Sequence, residues 1–327
     1  MTEAALPFLL ITVDAEGDNL WSRPADVTTR NAQCLPRFQD LCERHGCRPT
    51  YLLTYEMARS AVCRDFGRRV VDARAAEIGM HLHAWNSPPE VPLTDRDWWY
   101  QPHLTHYPEE AMRQKIRHLT LTIQDGFGVP VISHRGGRWG FDERYARLLV
   151  EQGYKVDSSV TPGVSWRQKA GSRFDRLAPD YTAFPLLPYF ADLDDVSRPG
   201  DSTLLEVPVT TRRLPLDAPP ERTDGAIVNP TVVRWLRPNG RNGRALRQVA
   251  VQSLAEGRNC LVLMLHSSEL LAGGSPVSQR EEDVHALSRD IEALLTELDG
   301  RITPVTMSEL YDAFVQMPRE DHSTWST

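Results

Sequence analysis

The sequence is poor in cysteine, and its cysteines form no recognisable motif. The 327 residues include only Cys34, Cys42, Cys47, Cys63 and Cys260, with no Cys-x-x-Cys pair. An odd number without paired spacing argues against a disulfide framework and against a zinc knuckle. We therefore expect reduced thiols, as in a cytoplasmic protein.

Long apolar runs and an excess of basic charge are missing as well. The first apolar run, PFLLITV, follows an acidic residue and ends in carboxylates, so it resembles neither a secretory signal nor a membrane span of ~20 residues. Acidic residues outnumber basic ones by 44 to 37, and the formal net charge is −7. This balance gives no general attraction for nucleic acid or anionic membranes. We expect a cytoplasmic protein with neither partner, and its oligomeric state stays open.

The sequence has no GxGxxG or Walker A motif, but it does have a repeated unit in which an apolar run precedes an ionisable or polar residue. Such continuous runs are typical of parallel strands that are covered on both faces. The runs end at Asp14, Glu56, His81, His134, Asp157, Thr210 and His266.

Amphipathic segments lie between these runs and predict helices. Clear apolar stripes occur in PRFQDLCERHG, PEEAMRQKIRHLTLTIQDG, DERYARLLVEQG and REEDVHALSRDIEALLTEL. The alternation predicts one parallel α/β domain over residues 1–320, with a disordered tail at 321–327. A barrel of about seven strands is favoured over an open doubly wound sheet, which lacks its nucleotide motif here. Residues 86–107 and 165–203 are expected to be long surface loops near the mouth of the barrel.

Ionisable side chains follow several of the predicted strands. Active sites of parallel α/β folds form at the carboxyl ends of the strands, so these groups are expected to meet in one pocket. Two histidines spaced H-x-H, His81 and His83, lie on one face of an extended strand. With one carboxylate they predict a divalent metal site that keeps open coordination positions. Of Asp14 and Glu16, one would be that carboxylate and the other a general base, and His266 would be a general acid.

The order of these motifs resembles that of the polysaccharide deacetylase family, also called NodB-homology domains or carbohydrate esterase family 4. The resemblance covers roughly residues 8–315 and consists of an ordered set of short motifs. They are Thr12-Val13-Asp14-Ala15-Glu16, Glu77-Ile78-Gly79-Met80-His81 with His83, Arg135-Gly136-Gly137-Arg138-Trp139-Gly140, Asp157-Ser158-Ser159 and Leu265-His266.

The resemblance implies a distorted (β/α) barrel that hydrolyses an N-acyl group of an amino sugar with a divalent metal, for which Zn²⁺ is expected and Ni²⁺, Co²⁺ or Mn²⁺ are alternatives. By position in the motifs, Asp14 would be the base, and Glu16, His81 and His83 would bind the metal. Arg135 would hold the base, and His266 would be the acid, with Asp157 as its partner. The roles of Asp14 and Glu16 are open to exchange, and Asp18 is a third candidate carboxylate.

Three features of this chain depart from the usual motifs of the family. The family usually has H-x-x-x-H and adjacent aspartates, whereas this chain has H-x-H and Asp-x-Glu, and its arginine motif lacks a proline. HLHAWNSPP and LHSSELLAGGSP look most similar to a branch linked to lipopolysaccharide or other surface polysaccharides.

Aromatic and cationic side chains suit sugars and their phosphates, so Trp85, Arg138 and Trp139 are predicted to bind a small or carrier-linked amino sugar. Two alternatives remain: a deformylase or cyclic-amide hydrolase of the same superfamily, and a catalytically silent glycan-binding barrel.

Overall fold

A mostly parallel β-sheet forms the centre of the fold in a computed structural model, which describes residues 6–167, 173–216, 221–223, 226–228 and 231–316. The predicted tail at 321–327 lies outside these residues. The described strands are β1 (Phe8–Ala15), β2 (Thr50–Leu53), β3 (Glu77–Leu82), β4 (Ser133–Gly136), β5 (Val156–Asp157), β6 (Tyr189–Phe190), β7 (Leu205–Glu206), β8 (Thr211–Pro215), β9 (Glu221–Thr223), β10 (Ala226–Val228), β11 (Thr231–Trp235), β12 (Cys260–His266) and β13 (Thr303–Pro304).

The main sheet has the strand order β12-β1-β2-β3-β4-β5-β7-β6, and β13 adds to β1. All its pairings are parallel except that of β6 with β7. Beyond β7 the chain reaches back to β12, where the Thr210 amide donates to the Val262 carbonyl at 3.3 Å and the Val262 amide donates to Thr210 Oγ1 at 2.7 Å. The sheet therefore curls toward closure through a few bonds rather than a regular ladder, which confirms the predicted distorted barrel.

The described helices pack around this sheet. They are α1 (Leu35–Arg44), α2 (Tyr55–Arg59), α3 (Ala61–Asp72), α4 (Asp97–Tyr100), α5 (Glu109–Phe127), α6 (Glu143–Glu151), α7 (Arg173–Arg176), α8 (Gly243–Ala255), α9 (Glu281–Leu298) and α10 (Met307–Gln316). Among them, no helix is long and apolar enough to cross a bilayer. The four amphipathic segments correspond to α1, α5, α6 and α9, as predicted.

Burial explains why these segments form strands and helices. Every residue of β12 is buried, and so is every residue of β1 after Phe8, as expected for strands covered on both faces. In α5, the stripe of Met112, Ile116, Leu119 and Ile123 is fully buried. The helix ends at Phe127 and is capped by Gly128, whose φ of 73° is in the left-handed region that glycine adopts without strain.

The loop prediction for two segments was too simple. Residues 86–107 include α4, and residues 165–203 include α7 and the sheet strand β6. Proline and aspartate flank these short elements and conceal them, since both residues are typical of turns. All five cysteines lie in the described part of the chain and are unpaired there.

Candidate metal centre and catalytic cavity

The predicted site residues meet because their strands are neighbours. Asp14 is opposite His266 where β1 pairs with β12, and His81 is opposite Arg135 where β3 pairs with β4. Parallel strands carry their carboxyl ends to the same edge of a sheet, so these four residues face one cavity or its floor. Glu16 and His83 lie just past the ends of β1 and β3 and extend the same cluster.

Glu16, His81 and His83 form a compact group of metal ligands. One ligand atom from each lies within 4.8 Å of the others, and all three side chains are buried. Glu16 Oε2 is 3.4 Å from His83 Nε2 and 3.9 Å from His81 Nε2. Ligand atoms on a tetrahedral ion with bonds of about 2.0–2.1 Å lie about 3.3 Å apart, so this spacing needs only a small contraction.

The H-x-H spacing works because β3 is extended up to Leu82. His81 Nδ1 lies 2.9 Å from the Arg135 carbonyl, to which a protonated Nδ1 donates, leaving the Nε2 lone pair for a metal. The His83 ring stacks on Trp85, with centroids 4.3 Å apart. A Cβ at Gly137 would lie 2.4 Å from His83 Cδ2, so the glycine of the RGGRWG motif makes room for this second histidine.

The electrostatics of the triad fit a cation. Burial, reinforced by Asp14 and Glu56, raises the pKa of Glu16 to about 8, although His266 acts against it. Burial also lowers the pKa of His81 to about 4 and that of His83 well below its usual value, so both rings are neutral. His83 Nδ1 is buried without a hydrogen-bond partner. The buried Glu16 carboxyl, which lies 3.9 Å from His266 Nε2, and the two neutral imidazoles are a donor set that fits a divalent metal ion.

Asp14 has a different environment, because it already has a cationic partner. Arg135 is fully buried, and its Nη1 donates to Asp14 Oδ1 at 2.7 Å. Although burial raises the pKa of Asp14, Arg135 and His81 bring it well below its usual range. Asp14 is therefore an ionised carboxylate with Oδ2 directed toward His81 and His266, 4.0 and 3.9 Å away.

The D-S-S segment holds Arg135 rather than the acid. Arg135 Nε donates to the Ser158 carbonyl at 2.7 Å, and Nη2 donates to Ser158 Oγ and Thr12 Oγ1 at 2.9 Å. The Gly136 amide donates to Ser159 Oγ at 2.8 Å. These bonds use the donors of a buried guanidinium that would otherwise be costly to leave unpaired.

The expected pairing of Asp157 with His266 was wrong. Asp157 hydrogen-bonds His134 Nδ1, and His134 Nε2 is bonded to the Tyr145 hydroxyl at 2.7 Å. Burial and the neighbouring Asp157 hold the pKa of Glu206 well above its usual value, so Glu206 keeps its proton. Asp157 therefore belongs to a buried group inside the barrel, where it projects from β5 and meets His134 of the neighbouring strand β4.

Glu269 is the carboxylate that His266 has instead. His266 Nδ1 is 3.5 Å from Glu269 Oε1, and the His266 amide donates to Glu269 Oε2 at 3.0 Å. Arg237 Nη2 lies 2.6 Å from Glu269 Oε1 and 3.0 Å from His266 Nδ1. Burial and Arg237 lower the pKa of His266, but Glu16 and Glu269 outweigh them and raise it. Sequence reasoning missed Glu269 and Arg237, although Glu269 follows His266 by only three residues.

The triad opens into a cavity of about 360 Å³, within the usual range for a small-molecule site. Trp85, Arg138 and Trp139 line it as predicted. Arg138 is already paired, with its Nη2 2.6 Å from Asp175 Oδ1. Trp21 and Trp166 also line the cavity and were not singled out from the sequence.

Backbone strain is concentrated around this cavity. Five described residues other than glycine have positive φ, and four of them line the cavity: Arg23, Gln101, Arg138 and Trp139. Such conformations cost about 1–3 kcal/mol each and cluster at functional sites.

Asp18, the third candidate carboxylate, is not part of the cavity. Its Oδ1 accepts from the Arg30 amide at 2.7 Å, and its Oδ2 pairs with the Arg30 guanidinium at 2.9 Å. Both carboxylate oxygens of Asp18 therefore have partners, and Asp18 stabilises the turn after β1.

The fold is shared with solved structures of low sequence identity. A protein described as a polysaccharide deacetylase from Mycobacterium smegmatis is 15% identical, with a TM-score of 0.57 over 97% of this chain and 94% of that one. A protein from Parabacteroides distasonis described as a glycoside hydrolase/deacetylase is 10% identical, with a TM-score of 0.62 over 98% and 74%. A 4-alpha-glucanotransferase from Thermococcus litoralis is 11% identical, with a TM-score of 0.53 over 94% and 40%.

These likenesses establish the fold alone, and the different descriptions of the three proteins show that the fold does not determine the reaction. No protein-family model matches the sequence. No curated protein matches it either. The function has to be argued from the site.

Proposed function

We propose that the protein is a metal-dependent hydrolase that removes an N-acetyl or other N-acyl group from an amino sugar. The observation that carries this proposal is the buried triad of Glu16, His81 and His83, flanked by an ionised Asp14 and by His266 in one cavity. Hydrolysis of an amide needs an activated water, a polarised carbonyl and a proton for the departing amine. The triad and its two neighbours supply residues for all three needs.

The metal-binding part of the proposal assigns Glu16, His81 and His83 as ligands, with Zn²⁺ as the expected ion. When bound, a divalent ion would polarise the acyl carbonyl and lower the pKa of a water molecule. The Arg135 carbonyl orients His81, and Trp85 orients His83 by stacking. These contacts hold both imidazoles toward one point, as outer-shell contacts do in metal sites.

Asp14 and His266 would move the protons. Asp14 Oδ2 is left free by the Arg135 bond at Oδ1, so it would accept the proton of the attacking water. His266 Nε2 faces the same space and would donate a proton to the leaving nitrogen, while Glu269 holds the other side of the ring. The pKa of Asp14 is low because Arg135 stabilises its charge, which keeps the base ionised at neutral pH.

An amino sugar is the proposed substrate because of the cavity wall. Trp21, Trp85, Trp139 and Trp166 line it, and their rings suit the apolar faces of a sugar. A surface polysaccharide or lipopolysaccharide precursor, supported only by the sequence resemblance, is the proposed source of that sugar.

The test is release of acetate from N-acetylated sugars by purified protein, before and after removal of metal with a chelator. We expect acetate release that chelation abolishes and Zn²⁺ restores. A panel that also measures formate and ring-opened cyclic amides would reveal the alternative hydrolases of this superfamily. Metal-loaded protein that hydrolyses none of these amides would contradict the proposal.

A further inference from the structure

Of the residues that the structure describes, three arginines line the cavity, in a protein whose net charge is −7. Two of them are already neutralised. Arg138 Nη2 lies 2.6 Å from Asp175 Oδ1, and Arg237 Nη2 lies 2.6 Å from Glu269 Oε1. Because each of these two guanidiniums is paired with a carboxylate, neither offers an unpaired charge to a ligand.

Arg23, the third, has a different set of contacts. Its Nη1 donates to the Trp99 carbonyl at 2.9 Å, and its Cζ is 5.7 Å from the centre of the Trp99 ring. Among the residues that the structure describes, none places a carboxylate oxygen within 4.0 Å of this guanidinium. The Arg23 charge thus lacks a carboxylate partner in the described part of the chain, and the residue lies at a partly exposed position of the cavity wall.

The backbone fixes Arg23 in this place. Its φ of 52° and ψ of 59° are in the left-handed region, where a residue other than glycine is uncommon. The Arg23 amide donates to the Leu20 carbonyl at 3.0 Å, which closes the turn, and the Trp99 ring supports the guanidinium from the other end. The turn fixes the position of the Arg23 backbone, and the contacts with Trp99 reduce the freedom that the side chain would lose on binding a ligand.

We propose that Arg23 binds an anionic group, phosphate or carboxylate, carried by the substrate. This inference rests on the proposed function and narrows the substrate to a negatively charged N-acylated sugar. The guanidinium fork suits a phosphate or carboxylate in bidentate geometry. Because Arg23 and the metal triad line the same cavity of about 360 Å³, the anion belongs on the acylated sugar itself or directly next to it.

The test compares three substrates of one size class: N-acetylglucosamine, its 1-phosphate, and N-acetylglucosaminuronic acid. The variants are Arg23→Gln and Arg23→Lys. Arg74→Gln is the matched control, because Arg74 also has a left-handed backbone (φ 54°) but is exposed and outside the cavity. Each variant loses or alters one arginine at the same kind of backbone position, so general effects of charge and strain are matched.

We expect the wild type to prefer an anionic substrate by about tenfold or more in kcat/KM, mainly through KM. In Arg23→Gln this preference should fall to near unity, and Arg23→Lys should keep part of it, since lysine has the charge but not the fork. Arg74→Gln should keep the wild-type preference. The phosphate and carboxylate arms identify which anion is bound.

Equal kcat/KM on all three substrates in the wild type, or a preference that survives in Arg23→Gln, would overturn the inference. Calorimetric binding of the same three sugars to metal-free protein separates it from the proposed function, because binding needs no turnover. If no sugar is hydrolysed but the 1-phosphate or the uronic acid binds more tightly to wild type than to Arg23→Gln, the hydrolase proposal fails and anion binding stands. Equal binding in both proteins would sink the inference as well.

Discussion

Asp14 and Glu16 stand two positions apart at the end of β1, and the protein treats these two buried carboxylates in opposite ways. Asp14 has Arg135 within 2.7 Å and is held ionised. Glu16 lies next to the neutral His81 and His83 and 3.9 Å from His266, and burial raises its pKa to about 8. The protein thus pairs Asp14 with a buried arginine, whereas Glu16 lies among histidines, so the two carboxyl groups are suited to the different roles of base and metal ligand that we propose.

The two histidine–carboxylate pairs differ in a similar way. His134 has partners on both ring nitrogens and is sealed from solvent, with Asp157 on one side and Tyr145 on the other. His266 has Glu269 on one side only, and its Nε2 faces the cavity. Access to the cavity, rather than the presence of a carboxylate partner, distinguishes the pair for which we propose a catalytic role from the buried one.

The largest effect is expected from removing Glu16, the carboxylate that we propose as a metal ligand. Glu16→Gln keeps the shape of the side chain but loses the charge that would bind the ion, so we expect acetate release to fall by about 10³-fold. Steady-state assays with Zn²⁺ in excess check this. Asp18→Asn is the control, because Asp18 is a buried carboxylate on the same segment outside the cavity; an equal loss in both variants would contradict the assignment.

Removing the cation from the other carboxylate should mainly affect stability. Arg135→Met leaves Asp14 buried without its partner, and breaking a buried pair in this way costs about 3–5 kcal/mol of unfolding free energy. Urea denaturation measures it. In the control Arg44→Met, the lost pair is exposed on both sides, with the side chains of Arg44 and Glu292 58% and 50% exposed, so we expect about 1 kcal/mol or less. Similar losses in the two variants would show that Arg135 does not compensate a buried charge.

The contrast also predicts how metal-free protein responds to pH. The pKa of Glu16 is near 8 when folded and near its ordinary value of 4.5 when unfolded. Between these two pH values the folded protein keeps a proton on Glu16 that the unfolded protein has lost. The contribution of Glu16 to the free energy of unfolding therefore falls as pH rises from 4.5 to 8. The slope is at most about 1.4 kcal/mol per pH unit.

Denaturation of metal-free wild type and Glu16→Gln over this pH range separates the contribution of Glu16 from those of other titrating groups. Glu16→Gln should lose this part of the slope, and added Zn²⁺ should remove it from the wild type. An unchanged slope in Glu16→Gln would refute the unusual pKa of Glu16.

The smallest expected effect concerns the two histidine–carboxylate pairs. Glu269→Gln removes the charge that helps to raise the pKa of His266, so kcat/KM should fall about tenfold and its alkaline limb should move to lower pH. Asp157→Asn should leave the limb in place, because Asp157 contacts His134 instead. A shift in the Asp157 variant and none in the Glu269 variant would restore the pairing predicted from sequence.

The sequence was sufficient for the strands and for the residues at their ends. Continuous apolar runs located β1, β3 and β12, and the carboxyl-end rule then placed Asp14, His81 and His266 together. It failed for Asp157 because which carboxylate meets which histidine depends on the order of strands in the sheet, and β5 lies beside β4. It also missed Arg23 and Arg237, since a lone arginine in a loop carries no periodic signal.

The most direct test of the account is the metal stoichiometry of chelator-stripped protein after Zn²⁺ is added back, measured by elemental analysis of wild type, His83→Ala and Asp18→Asn. His83 is the decisive ligand because its H-x-H position departs from the family that the sequence resembles. We expect about one ion per chain in wild type and Asp18→Asn and little in His83→Ala. Wild type without bound metal, or His83→Ala with a full complement, would contradict the proposed centre.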